Sequence, residues 1–529
     1  MILKNILLII SLLTINIFSQ NQLLDYKLGD EIKTLDKSVS QNPLSNSITD
    51  IITIGDTVWL GTSRGVSLSV DGGTNWTNFY GQSDFGTDNI SAIGYNNGVF
   101  WCATARSTEV TGGQTLPEGT GLKYTTNLGV TWTSIPQPID AEGDTIEFYG
   151  SNQIRAIDVT VTIQNLVYDI AFTPNTIWIT TFAGGLRKST DNGQTWKRVI
   201  LPPDYLNSIS PNDTLSFCLS PVKGNLCDEG NFNHRVFSVV VANDSTVYVG
   251  TANGINKTSN ANDEYPSWIK LNAQNQSQPI SGNFITALAF NQNTNTLWAS
   301  TWMANDPSEF SGVSSSSDGG QTWITYLRDE KPHNFGFKNN DVMVATDNGV
   351  FRTTDNGLTW LLPNSIVDSN SYPNFIIKLH SKVFYAANSY QNNIWLGSEN
   401  GLARLEETSG RIWQGAWKIF FASQPLSSDN ETYCYPNPFN PRNQGVPLNF
   451  KFSTSGTEKS VTIRIFDFGF NFVRTVIQNA SRNFTMADKP VDYWDGKDEN
   501  GNTVPNGVYF YRVDIGDSDA LYGKILVLQ

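Results

Sequence analysis

The sequence predicts an all-β chain in which one four-stranded unit is repeated seven times and a small antiparallel sandwich follows. Three observations carry this expectation. A short strand-like word recurs seven times, a turn rich in Asp, Asn and Gly that ends in Trp follows most copies, and both patterns stop after residue 421. There the chain turns Pro-rich and then alternates apolar and polar residues in short runs.

The opening segment is set apart from the fold. Lys4 precedes an almost wholly apolar run from residue 6 to 18, too short to span a bilayer, and Ser19 offers a small residue for cleavage. Residues 1–19 therefore read as a secretory signal peptide. No Cys follows the run to take a lipid, and no later stretch reads as a transmembrane segment, so the mature chain is expected to have none. The whole chain of 529 residues has 35 Lys+Arg against 49 Asp+Glu and a net charge of -14, a balance that argues against nucleic acid as a partner.

The recurrent word reads Trp59-Leu60-Gly61-Thr62 in its first copy. It returns at Trp101, Trp178, Tyr248, Trp298, Met343 and Trp395. Downstream a Gly and an apolar residue open the next strand, as in Gly65-Val66, Gly185-Leu186 and Gly401-Leu402. The closing turn is fullest in Ser189-Thr190-Asp191-Asn192-Gly193-Gln194-Thr195-Trp196, and it recurs over residues 69–76, 125–132, 316–323 and 353–360. Hydroxyl and carboxylate side chains there can accept bonds from turn N–H groups, while Gly supplies positive φ. Asp71, Asp191, Asp318 and Asp355 are thus expected to be structural turn residues. Seven of the 15 tryptophans close these turns and five open the word, so aromatic richness is mainly packing material.

These turns resemble the Asp-box, or bacterial neuraminidase repeat, of sialidases, xyloglucan-cleaving hydrolases, sortilin-type receptors and photosystem assembly factors. The resemblance implies a β-propeller in which each box joins the third and fourth strands of a blade. Seven copies then give seven blades over residues 20–422, with a minimal blade of about 40–45 residues. A strand drawn from residues 20–48 is expected to close the ring against residues 417–421.

Strand direction alternates within a blade, so the loop between strands two and three and the connector to the next blade share one face. The insertions 105–120 and 302–311 and the connectors 134–165 and 201–232 all fall on that face. They carry Arg106, Glu118, Asp140, Asp144, Glu147, Tyr149, Tyr205 and Trp302, among which Arg106, Glu147, Tyr149, Tyr205 and Trp302 are the candidate ligand-face residues. Cys218 and Cys227 enclose a Pro- and Gly-containing loop and are expected to form a disulfide, Cys102 reads as buried, and Cys434 reads as a free linker residue. His234, His333 and His380 are too scattered for a metal or a triad, and no catalytic, cofactor or metal residues are assigned. The Arg-Ile-Pro signature of sialidases is missing, and Arg187, Arg352 and Arg404 follow the repeat.

Residues 423–432 read as a polar linker. Beyond them, Tyr435-Pro436-Asn437-Pro438-Phe439-Asn440-Pro441, the Trp494-Asp495-Gly496 turn and Asn506-Gly507-Val508-Tyr509 resemble the Ig-like domain of flagellar hook-capping proteins and, more closely, the C-terminal sorting domain of type IX secretion substrates. That resemblance covers residues 433–529. It implies periplasmic transit, an outer-membrane secretion machinery as partner, and a final place outside the cell or on its surface. A non-catalytic binder of glycan, peptide or protein is the favoured reading. A sialidase-like or xyloglucan-cleaving glycoside hydrolase is the alternative, which requires two carboxylates at a working separation.

Overall fold

The computed structural model describes residues 38–529 apart from 83–84, 305, 370–376, 423–425, 427, 443–446 and 487–490. The proposed signal peptide lies outside the described residues. Among these residues the structure is all-β, with one 3-10 turn at Phe232–His234. Among the described residues no helix is long and apolar enough to cross a membrane.

Seven antiparallel sheets succeed one another along the chain. The first runs through Ile48–Ile54, Thr57–Thr62, Val66–Ser69 and Trp76–Phe79, and the last through Phe384–Tyr390, Asn393–Ser398, Gly401–Glu407 and Gly415–Phe420. The innermost strand of each sheet lies against that of the next, and Phe384–Tyr390 returns to Ile48–Ile54. The chain is a β-propeller. In the sixth blade the outer strand shrinks to a single bridge between Arg352 and Leu361, just ahead of Pro363, which has no N–H to give to a ladder.

The repeated word now has a physical reading. The strand that holds it is buried on both faces, as in Thr176–Thr181, so it reads as continuous rather than alternating. Its third position abuts the inner strand of the next blade and must be small. A Cβ added to Gly61 would sit 3.1 Å from Ile90, and one added to Gly397 would sit 2.8 Å from Ile48. Its fourth position is Thr or Ser, whose hydroxyl donates to the carbonyl of the Gly that opens the third strand. Thr62 to Gly65 at 2.8 Å, Thr251 to Gly254 at 3.0 Å, Thr346 to Gly349 at 3.1 Å and Ser398 to Gly401 at 2.8 Å are examples.

The Trp-ending turns share one bonding pattern. Ser189 Oγ accepts from the Gly193 N–H at 2.8 Å, and Asp191 accepts from the Thr195 N–H at 2.9 Å and from its hydroxyl at 2.5 Å. The turns at Ser69, Ser316 and Thr353 repeat the two N–H bonds. The Thr195 bonds hold the Asp191 carboxyl down at about 2, and against burial the Thr322 bonds bring Asp318 to about 2 as well. A carboxylate whose folded value lies below its ordinary 3.8 adds stability above that value and loses it as pH falls. We therefore expect the melting temperature to drop as pH falls from about 4 to about 2, and D191N/D318N to flatten that drop. An acid limb unchanged in the double variant would refute the assignment.

Two expectations are corrected. Ser38–Ser40 pairs with Trp76–Phe79 on the outside of the first blade, while Gly415–Phe420 pairs only with Gly401–Glu407. Among the described residues no strand before Ile48 pairs with 415–420, so 38–48 does not supply the expected closing strand; the rest of that expectation, residues 20–37, lies outside the described residues. Cys434 lies on the strand Tyr433–Tyr435 and is buried, not in a linker, and burial pushes its thiol up to about 12. Cys102 is likewise buried.

The connectors build a further sheet beside the blades, in which Ile146–Tyr149, Asn152–Ala156 and Cys218–Leu219 pair. Cys218, on its last strand, is joined through its sulfur to Cys227. After the propeller, Tyr433–Tyr435, Leu448–Lys451 and Tyr493–Trp494 form one small sheet. Phe472–Arg482, Lys459–Phe466, Gly507–Ile515 and Leu521–Val527 form another. Phe450, Ile463, Trp494, Tyr511 and Val527 belong to the one core they share. Asp498 accepts from the Asn500 and Asn502 N–H groups, so the acidic loop there is a hydrogen-bonded turn.

Candidate functional site

Each innermost strand carries a bulge one or two residues into its length. The register skips Thr49, Ser91, Tyr168, Phe237, Thr286, His333 and Tyr385, each flanked by residues that pair normally. A bulge re-aims the extra side chain. All seven skipped residues line one funnel at the mouth of the central channel, on the face that carries the long insertions. Its space is about 1220 Å³ including the open mouth, within reach of a small ligand or a protruding peptide side chain.

The funnel wall has two halves. Across blades three to seven it is aromatic: Tyr168 and Phe237 meet edge to face at 5.3 Å, Phe237 and Phe284 at 4.9 Å, Trp302 and His333 at 5.6 Å, and His333 and Tyr385 at 5.3 Å. The Trp302 indole N–H is fixed on the Pro332 carbonyl at 2.7 Å. His333 Nε2 lies 2.7 Å from Asp347 Oδ1. Across blades one and two the wall is polar, with Thr49, Asp50, Asn89, Ser91 and Arg106.

Charge in the funnel is unevenly compensated. Arg106 Nε bonds Glu118 at 2.8 Å, and that bond, with those from the Thr108 and Thr162 hydroxyls, holds Glu118 at about 2. Asp50 is different. Its Oδ1 accepts from the Ile51 N–H at 2.8 Å and from Asn334 Nδ2 at 3.3 Å, yet burial pushes its carboxyl up to about 7, and the nearby charge of Asp169 adds to the rise. Burial raises Asp169 to about 6 against bonds from the Val239 and Ile170 N–H groups.

Of the five ligand-face candidates, the structure brings Arg106 and Trp302 together in this funnel. Glu147, Tyr149 and Tyr205 do not line it. Glu147 pairs with Arg198, which also reaches Asp140 and Asp144. Tyr149 is buried and donates to the Pro266 carbonyl at 2.7 Å, so it packs the connector sheet instead of facing a ligand. Tyr205 is exposed elsewhere on the connector, with its hydroxyl on Ser216 O.

No protein-family model matches the chain, and no curated protein matches it in sequence. Solved structures do resemble it. It is similar to PorZ, a surface component of the type IX secretion system of Porphyromonas gingivalis, at 13% identity and a TM-score of 0.41, over 91% of this chain and 75% of that one. It is similar to YCF48 bound to D1 peptide at 14% identity and a TM-score of 0.41, over 72% of this chain and 100% of that one. An ancestral GH74 enzyme aligns at 13% identity and a TM-score of 0.47, over 92% of this chain and 63% of the enzyme.

Sequence reasoning missed Tyr168, Phe237, Asp50 and Tyr385. A signal was present: Thr49, Ser91, Tyr168, His333 and Tyr385 each stand ten residues before the first position of their word, at Trp59, Trp101, Trp178, Met343 and Trp395. Stacking the repeats in that register isolates the bulge position.

Proposed function

We propose that this chain is an exported propeller that acts as a non-catalytic binding module. Its residues 433–529 would serve as the secretion and sorting domain that delivers it to the surface or exterior of a bacterium with an outer membrane. One observation carries the binding role: an arc of fixed rings faces a polar wall in an open funnel on the insertion-rich face. Rigid rings offer large contact area at little conformational cost, which suits gripping a glycan, a peptide or a protein loop. The box aspartates support the same reading, because their oxygens are occupied by turn bonds.

Glycan and peptide arrays followed by titration calorimetry test it. F237A and W302A are each expected to weaken the retained ligand at least about tenfold, or about 1.4 kcal/mol, with no product formed. A second reading, glycoside hydrolysis, has one observation in its favour, the two half-buried carboxylates Asp50 and Asp169 whose charges act on each other. Sugar release from sialosides or β-glucans that is abolished in D50N would favour that reading and overturn the first.

A further inference from the structure

The funnel's aromatic and polar halves together specify a ligand chemistry. Asp50 and Asp169 form no ion pair among the described residues, and backbone N–H groups with the Asn334 amide are all that balance them. The nearby cations do not change this. Arg106 is held by Glu118 at the rim, and Lys331 sits outside, 5.8 Å from the Trp302 ring centroid. His333 is turned to Asp347. An anionic group entering the funnel would meet the uncompensated Asp50 carboxylate, on which the charge of Asp169 also acts, and a neutral one would desolvate it further. A positive charge on an apolar stem gains on both halves, since its methylenes pack on the rings, ring faces attract the cation, and a carboxylate waits at the wall.

We propose that the funnel receives the side chain of a lysine or arginine from a polypeptide partner, with its charged head at Asp50 and its stem between Tyr168, Phe237 and Tyr385. This rests on the binding reading above and narrows it to a basic peptide segment. Binding brings a cation beside a carboxyl held at about 7, so it should expel a proton near neutral pH.

The test uses the full chain and end-capped peptides identical except for lysine, arginine, norleucine or glutamate at the central position. Calorimetry should give at least tenfold tighter binding for the lysine and arginine peptides than for norleucine, and heats that vary with the buffer's ionisation enthalpy. D50N preserves an acceptor for Ile51 and should bring lysine and norleucine to within about twofold of each other. D191N, which removes a carboxylate that does not line the funnel, should keep the discrimination and shows whether D50N acts from within the funnel. Equal binding of norleucine and lysine, unchanged discrimination in D50N, or no peptide binding at all overturns the cation inference. If glycans are retained and F237A weakens them, the binding module survives while its cationic ligand does not.

Discussion

Arg352→Met should cost roughly 3–5 kcal/mol of folding stability, far more than a surface ion pair is worth, because it strands a buried carboxylate. The Arg352 guanidinium and the Glu407 carboxylate are 3% and 4% exposed, and they meet at 2.6 Å across the seam between the sixth and seventh blades. Arg352 also binds Asp341 at 2.5 Å and lies over the Trp413 ring, while Lys338 bonds the second Glu407 oxygen at 2.5 Å. Burial acts to raise the Glu407 carboxyl, but the Arg352 and Lys338 bonds and the Trp413 N–H win, so its value falls below 4.5. A depressed carboxylate gives its stability above that ordinary value and loses it as pH falls, so the parent should weaken below about pH 4.5 and R352M should do so less. Urea unfolding followed by far-ultraviolet circular dichroism reads both effects. E407L/R352M should recover much of the loss, since an apolar pair leaves no charge unpaired. A single variant within about 1 kcal/mol of the parent would mean that the network is not holding the seam.

What the sequence could reveal follows from the range of each interaction. The Asp191 turn and the Thr62 hairpin bond link residues no more than four apart, so their chemistry stands in the local text and repeats with it. The buried network around Arg352 was open only in part. Its place after the Gly-apolar step is visible, but its partner Glu407 lies 55 residues on, in another blade, with no motif to mark it. Tyr149 shows the reverse failure. An aromatic on a long acidic connector reads as a rim residue, yet its hydroxyl reaches Pro266 across 117 residues, and the connector folds into a sheet of its own. The funnel was half legible. Arg106 and Trp302 stand on insertions and announce themselves, whereas Phe237 owes its direction to a bulge and Asp50 follows one directly, and a bulge changes where a side chain points without changing the composition around it.

Trp76→Ala is the second large effect, and it tests how the ring is closed. The Trp76 ring is fully buried and stands edge-on to Trp395 at 6.0 Å and to Phe420 at 5.8 Å, which belong to the last blade. The same arrangement occurs inside the ring, where Trp132 of the second blade stands edge-on to Trp59 of the first at 6.3 Å and Trp360 of the sixth to Trp298 of the fifth at 6.2 Å. Closure thus uses the contact of an ordinary seam, in which the Trp ending one blade's turn covers the word aromatic of the blade before. It is reinforced at the axis by Asn388 Nδ2 on the Ile51 carbonyl at 2.8 Å and Thr53 Oγ1 on the Ser389 carbonyl at 3.0 Å. Removing the indole leaves a cavity between the first and last blades, expected to cost about 3–5 kcal/mol. Amide exchange should locate the damage, because a ring closed by packing opens first where the packing is lost. Peptides over 48–62 and 384–398 should exchange faster in W76A, while 285–302, on the far side of the ring, should keep the parent rate. Uniform acceleration around all seven blades, or protection unchanged at 384–398, would show that something other than this indole joins the ends of the propeller.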